Sequence, residues 1–199
     1  MTSRLVLASR SKTRIAMLQA AGVAVDIDPA DVDEDKIGAS FADPCLRAMS
    51  LARSKALVVS ERHAGRFVLG GDQVCVLEDG ENVGTFIEKP VDEADHVAML
   101  LRLAGKTHAF FPAAVLVKDG VLIATVAEVV RVTFHSFDDG TARAYVATGE
   151  GKGSCGGYES EGRGGQLIAR IEGTQFGLMG LPLLGVLDAL RAAKFPGML

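Results

Sequence analysis

An α/β fold is predicted by three features of this chain. Strand-length apolar runs alternate with amphipathic stretches along its 199 residues. A polar cluster follows the first apolar run where a strand would hand over to a helix. A 48% hydrophobic composition is sufficient to bury a sizeable core, and a single domain over 1–199 accounts for the length.

The first run is Leu5-Val6-Leu7, followed by Ala8-Ser9-Arg10-Ser11-Lys12-Thr13-Arg14. Ile15, Leu18 and Gly22 then recur at helical spacing. Ser9 or Ser11 can cap that helix by accepting its unpaired N–H groups. Arg10, Lys12 and Arg14 crowd the positive end of the helix dipole, which favours anions. A solvated, slightly frustrated helix start is the plain reading. A phosphate-like ligand is the better one, because N–H groups, hydroxyls and cations would converge on it.

A second strand covers Val23 to Ile27 and runs into Asp31-Val32-Asp33-Glu34-Asp35, either a solvated loop or a cation-binding one. Residues 42–61 form a helix with Leu46, Met49, Ala52, Ala56 and Val59 on one stripe and Asp43-Pro44 as its start signal. Lys55 falls on the apolar side of that helix. It either snorkels to water or is held to meet an anion. Next, Phe67 to Leu77 reads as a strand broken in the middle by Gly70-Gly71-Asp72-Gln73. Paired glycines in a strand signal a bulge or a close backbone approach. An aspartate set between apolar runs must be paired, hydrogen-bonded or metal-bound if buried, so a catalytic Asp72 is favoured over a purely structural one.

A turn over Glu78 to Asn82 leads to Phe86-Ile87-Glu88-Lys89-Pro90, and a helix over Asp92 to Leu103 stops at Gly105. Residues 107–117 and 121–134 form a long hairpin around Lys118-Asp119-Gly120. A helix follows Asp138-Asp139 to about Ala147. The glycine-rich stretch Gly149 to Gly165 is 17 residues long, which marks a functional loop rather than a simple connection. A strand over Leu167 to Ile171 and an amphipathic helix carrying Leu183, Val186, Leu187 and Leu190 close the chain.

Composition narrows the function. A net charge of -4 argues against a broad nucleic-acid surface. No apolar stretch reads as a membrane span, and the opening residues lack the apolar core of a secretion signal. Cys45, Cys75 and Cys155 are too few and too scattered for a disulfide framework or a zinc site, which suits a reducing, cytoplasmic setting.

Taken in order, Leu7-Ala8-Ser9-x-Ser11-x-x-Arg14, Val32-Asp33-Glu34, Leu51-Ala52-x-x-Lys55-Ala56, Gly71-Asp72-Gln73, Lys89-Pro90, Gly156-Gly157-Tyr158 and Gly180-Leu181-Pro182-Leu183 resemble the Maf-like nucleotide pyrophosphatases. The resemblance runs from residue 5 to about 192. It implies an elongated α/β structure, a mixed sheet with flanking helices and a central cleft, similar to the inosine triphosphate pyrophosphatases. It implies hydrolysis of a nucleoside triphosphate to the monophosphate and pyrophosphate, with a divalent cation (Mg or Mn), by a homodimer. Ser9, Ser11, Thr13 and Arg14 then fall at the substrate, and Asp72 matches the general base. Glu34 and Asp72 match the cation site, while Lys55 and Lys89 neutralise the leaving pyrophosphate.

Gln73 and Ser160-Glu161-Gly162 are similar to the branch that acts on 7-methyl-GTP; the dTTP/UTP branch usually carries Thr and Gln at positions 73 and 161. A carboxylate at Glu161 suits guanine, whose Watson–Crick edge offers two N–H donors. Three departures stand out: Lys12 replaces the usual Pro, Pro112 replaces a small residue, and Thr13 replaces the Arg or Trp of the two branches. A dTTP/UTP pyrophosphatase is the alternative enzyme. The alternative from another class is a nucleotide-sensing regulator linked to septum formation, which would not require Asp72, Glu34, Lys55 and Lys89 together.

Overall fold

Five helices begin on a side chain that accepts a backbone N–H from the first turn, and these caps fix where strands give way to helices. In the computed structural model, which describes residues 4–79 and 84–199, strand β1 (Leu5–Leu7) leads into α1 (Lys12–Ala20), capped by Ser11. Strand β2 (Val25–Ile27) is followed by α2 (Glu34–Ala39), capped by Asp33, and by α3 (Pro44–Ser60), capped by Asp43. Strand β3 (Phe67–Leu77) precedes α4 (Glu93–Leu103), capped by Asp92. Strands β4 (Thr107–Lys118), β5 (Val121–Ala127) and β6 (Val130–Phe134) lead to α5 (Asp139–Val146), capped by Asp138. The chain ends with β7 (Ile168–Glu172), α6 (Gln175–Leu178) and α7 (Leu183–Ala192).

The strands hydrogen-bond in the order β2-β1-β3-β4-β6-β7, with β5 paired to β4. Strand β1 runs parallel to both β2 and β3, while β4 runs antiparallel to β5 and β6, and β6 antiparallel to β7. This mixture follows from the connections. Parallel neighbours require crossovers, which α1, α2 and α3 supply, whereas β4 and β5 are joined by a tight turn. In that turn Asp119 and Gly120 both have positive φ, 51° and 75°, the pattern of a two-residue hairpin. The α/β expectation is met. None of the described helices is long and apolar enough to cross a membrane.

Four local expectations change. Strand β3 is continuous through Gly70-Gly71-Asp72-Gln73: of the two alternatives the close backbone approach holds, with Gly70 admitting a neighbouring helix, and there is no break. The predicted 121–134 strand divides at Glu128-Val129: β5 pairs with the later half of β4 and β6 with the earlier half. Helices α2 and α6 were not expected, and at six and four residues they are too short to show a helical period. The 149–165 stretch contains two short 3-10 turns, Cys155–Gly157 and Arg163–Leu167. The predicted 78–82 turn lies partly outside the described residues.

Backbone contacts group the chain into two units: residues 1–73, 112–128 and 175–199, and residues 74–111 and 129–174. In the first, Leu5, Leu7, Leu18, Leu69, Leu116 and Leu190 share one buried core. In the second, the fully buried His108 sits among Phe110, Phe134 and Tyr158, with ring centroids 5.5, 4.8 and 5.6 Å away. Its Nε2 shares a 2.9 Å hydrogen bond with the Tyr158 hydroxyl.

Burial pulls the His108 imidazole down to about 3, so the native state holds it neutral. An unfolded histidine takes up a proton near pH 6.5, and the native one does not, so this contribution to stability is present above that pH and is lost as pH falls. The loss should reach about 2 kcal/mol by pH 5. Denaturant midpoints of wild type and His108→Phe at pH 7 and pH 5 check this. The wild type should weaken more steeply; equal pH slopes would refute it. The Phe variant leaves the Tyr158 hydroxyl without its partner at both pH values, so the slope rather than the absolute stability is the readout.

Candidate active site

Helix α3 turns Lys55 onto its buried face, between Ala52 and Ala56, and β3 carries Asp72 two residues beyond Gly70. The glycine makes the approach possible: a Cβ at position 70 would lie 2.0 Å from the Ala52 carbonyl oxygen and 2.8 Å from the Ala56 nitrogen. With helix and strand in backbone contact, Lys55 Nζ reaches Asp72 Oδ1 at 2.6 Å. The same ammonium reaches Glu34 Oε1 at 2.9 Å, at the first residue of α2. The Lys55 and Asp72 side chains are each 11% exposed and Glu34 is 56% exposed, so this line of charges runs from a buried pair to solvent. The lysine neither snorkels nor stands alone; it compensates a buried carboxylate that would be costly unpaired.

Ser11 caps α1 by accepting the Arg14 N–H at 3.3 Å, and the Ser9 hydroxyl accepts the Ser11 N–H at 3.2 Å. Arg14 turns back from the helix into the protein. Its Nε donates to the Gly180 carbonyl at 2.7 Å, and its Nη1 donates to the Gly71 carbonyl at 3.0 Å and to Ser9 Oγ at 3.3 Å. Burial pulls the guanidinium below its ordinary value, and the Asp72 and Glu34 carboxylates pull it back up. Of the three cations at the helix start, Arg14 is therefore a brace that ties the serines to the strand bearing Asp72. Arg10 and Lys12 are exposed, and Thr13 is half-buried beside them.

Gln73 makes a second brace. Its amide nitrogen donates to the Gly177 carbonyl at 3.0 Å and the Leu178 carbonyl at 3.1 Å. Arg14 and Gln73 thus hold both ends of the 177–180 segment, where Gly180 takes φ 96°. In the sequence Gly180 stands out only as part of the Gly180-Leu181-Pro182-Leu183 motif. The signal for its role was its position at the end of an unrecognised helical turn, where positive φ favours glycine.

Eight of the ten candidates, Ser9, Ser11, Thr13, Arg14, Glu34, Lys55, Asp72 and Gln73, are brought into the first unit. Lys89 and Glu161 belong to the second, and both are exposed. Glu161 lies in the middle of a turn closed by the Gly162 N–H on the Glu159 carbonyl at 3.2 Å, and its Oε2 accepts from Ser160 Oγ at 3.3 Å.

Among the described residues no three His, Cys, Asp or Glu side chains gather at one point. Glu34 and Asp72 nonetheless offer two hard carboxylate donors that meet at one ammonium. That set fits a cation of the magnesium type, which takes one or two protein carboxylates and fills its remaining positions with water and phosphate oxygens.

The Maf-like protein family model matches residues 4–193. A nucleoside triphosphate pyrophosphatase of Rhodopseudomonas palustris (strain HaA2) is 38% identical over 194 residues, 96% of this chain and 94% of its own. A 7-methyl-GTP pyrophosphatase of Mesorhizobium japonicum is 40% identical over 197 residues, 96% of each chain. A dTTP/UTP pyrophosphatase of Geobacter sulfurreducens is 37% identical over 192 residues, 94% of this chain and 95% of its own. Among solved structures, the Ham1 protein of Staphylococcus aureus matches 96% of this chain and 100% of its own at 13% identity and a TM-score of 0.46. With the motif residues in place and a match over nearly its whole length, the chain belongs to the Maf-like family.

Proposed function

We propose that this chain hydrolyses a guanine-type nucleoside triphosphate, 7-methyl-GTP or another modified guanine nucleotide, to the monophosphate and pyrophosphate. The hydrolase class rests on the family and on relatives named nucleoside triphosphate pyrophosphatases. The observation that carries the chemistry is the single ammonium of Lys55 joined to both Asp72 and Glu34. Lys55 has three N–H donors and spends two on those carboxylates, which leaves one for a phosphate oxygen. Asp72 accepts the proton of the attacking water as the bond from the α-phosphorus to its bridging oxygen breaks, and the departing oxygen carries the electron pair away on pyrophosphate. Lys55 offsets that charge where it develops. A divalent cation held by Glu34 and Asp72 would supply further charge neutralisation on the phosphate chain. Ser9, Ser11 and Thr13 line the helix start where N–H groups favour anions.

Base choice rests on Glu161, an acceptor-only carboxylate matched to the two N–H donors of a guanine edge. Gln73 supports the same reading only through its resemblance to the 7-methyl-GTP branch, since its amide is spent on the Gly177 and Leu178 carbonyls. Overall identity does not separate the branches, since relatives bearing either substrate name lie between 37% and 40%.

A substrate panel tests both levels. With Mg²⁺ or Mn²⁺, each triphosphate consumed should yield one monophosphate and one pyrophosphate; diphosphate plus orthophosphate would overturn the site assignment. The kcat/KM of wild type should be higher for 7-methyl-GTP and GTP than for dTTP and UTP. Glu161→Gln should reduce that preference by about 1–3 kcal/mol, the cost of mismatching a hydrogen-bonded partner. A wild type that prefers dTTP or UTP, with a ranking indifferent to Glu161→Gln, would move the chain to the pyrimidine branch.

A further inference from the structure

The turn that carries Glu161 is clamped at both ends by residues outside it. It runs from Glu159 to Gly162, closed by the Gly162 N–H on the Glu159 carbonyl. At its start, the Glu159 N–H donates to the Tyr145 hydroxyl at 3.0 Å. Tyr145 is buried on α5, and burial pushes its phenol up to about 12, so it stays protonated and oriented. Just past its end, the Arg163 N–H donates to Glu150 Oε2 at 2.8 Å. The Glu150 carboxylate is wedged against Gly162 so closely that a Cβ there would sit 2.7 Å from the same oxygen.

Glu150 is itself held in place. Its own N–H donates to Thr148 Oγ1 at 3.2 Å, and the Thr148 hydroxyl donates to the Tyr145 carbonyl at 2.7 Å. The path from the end of α5 to the far side of the turn is thus a continuous chain of hydrogen bonds. A half-buried carboxylate spent on a backbone N–H is a strong, charge-assisted bond, stiffer than an exposed glycine-rich loop would otherwise possess.

We infer that Glu150, seconded by Tyr145, is a positioning residue for base selection: it touches no part of the nucleotide, and it fixes the turn that presents Glu161 to the base. This rests on the base-reading role given to Glu161 above. A freely moving loop would still carry the carboxylate but would have to order it at each binding event, which weakens binding without altering the chemical step. Removing the clamp should therefore raise KM for guanine nucleotides and leave kcat, and turnover of UTP, near wild type.

The test is a double-mutant cycle on 7-methyl-GTP and UTP with wild type, Glu150→Ala, Glu161→Gln and the pair, together with amide hydrogen exchange over residues 159–165 in the absence of nucleotide. Glu150→Ala should lose about tenfold in the guanine-to-pyrimidine kcat/KM ratio, through KM, with faster exchange in the turn. Glu150→Gln, which keeps an acceptor oxygen, should recover most of the ratio. The pair should discriminate no worse than Glu161→Gln alone, because a clamp has nothing left to position. Fully additive losses, or exchange unchanged in Glu150→Ala, would overturn the inference. A Glu161→Gln variant with undiminished guanine preference would instead overturn the base-reading role itself, a different result from either.

Discussion

Asp72→Asn should lower turnover by roughly 10²-fold or more while leaving the protein folded, as loss of a positioned general base does. The asymmetry of the ion pair makes this a sharper expectation than an ordinary inactivating substitution. When Asp72 loses its charge, Lys55 keeps Glu34 at 2.9 Å, and an asparagine oxygen still accepts from the ammonium. No buried charge is stranded. Lys55→Met reverses the situation: Asp72, 11% exposed, is left without its cation. Breaking a buried pair from that side should cost about 3 kcal/mol in stability as well as activity. Steady-state kinetics and denaturant midpoints on both variants separate the cases. An Asp72→Asn enzyme with near-normal turnover would shift the base to Glu34, and a Lys55→Met protein as stable as wild type would mean the pair is hydrated rather than buried.

The same pair shows how far sequence alone reaches. Lys55 on an apolar stripe and Asp72 between apolar runs were both legible as misplaced charges, because each breaks a periodic pattern whose meaning is burial. That they answer one another was not legible, since 17 residues separate them and their meeting depends on how closely α3 approaches β3. The helix starts were readable for a related reason: Ser11, Asp43, Asp92 and Asp138 act on N–H groups within their own first turn, and local chemistry leaves a local signature. Helix α2 carries the same kind of cap in Asp33, but within an acidic stretch that reads equally as a loop, and both α2 and α6 are shorter than the window in which a period can be seen. The Arg14 side chain crosses 166 positions of sequence to Gly180, a contact no spacing rule could announce. Gln73 is a brace in the structure, its amide reaching the Gly177 and Leu178 carbonyls more than a hundred positions away, and its place beside Asp72 in sequence announced nothing of this.

Gly70→Ala should destabilise the protein by about 3 kcal/mol, at the upper end of what overpacking costs. Gly71→Ala, one residue along the same strand, should be close to neutral. Neither glycine has a positive φ, so backbone strain does not distinguish them, and in a strand alanine is otherwise the better residue. What differs is the neighbour. A Cβ at 71 would meet Arg14 Nε at 3.4 Å and Cδ at 3.5 Å, ordinary contact with a side chain that can adjust. A Cβ at 70 would lie 2.0 Å from a backbone oxygen of α3, and no truncation of Ala52 can remove that atom. Ala56→Gly would relieve only the 3.0 Å contact with its own Cβ, so it should fail to rescue. The helix must therefore move away from the strand, taking Lys55 with it, and the 2.6 Å pair with Asp72 opens as a consequence. Urea midpoints and kcat/KM measured on the two glycine variants should diverge together, stability and activity both falling in Gly70→Ala alone. Equal behaviour at the two positions would mean that the approach of α3 to β3 is not what sets the Lys55–Asp72 pair.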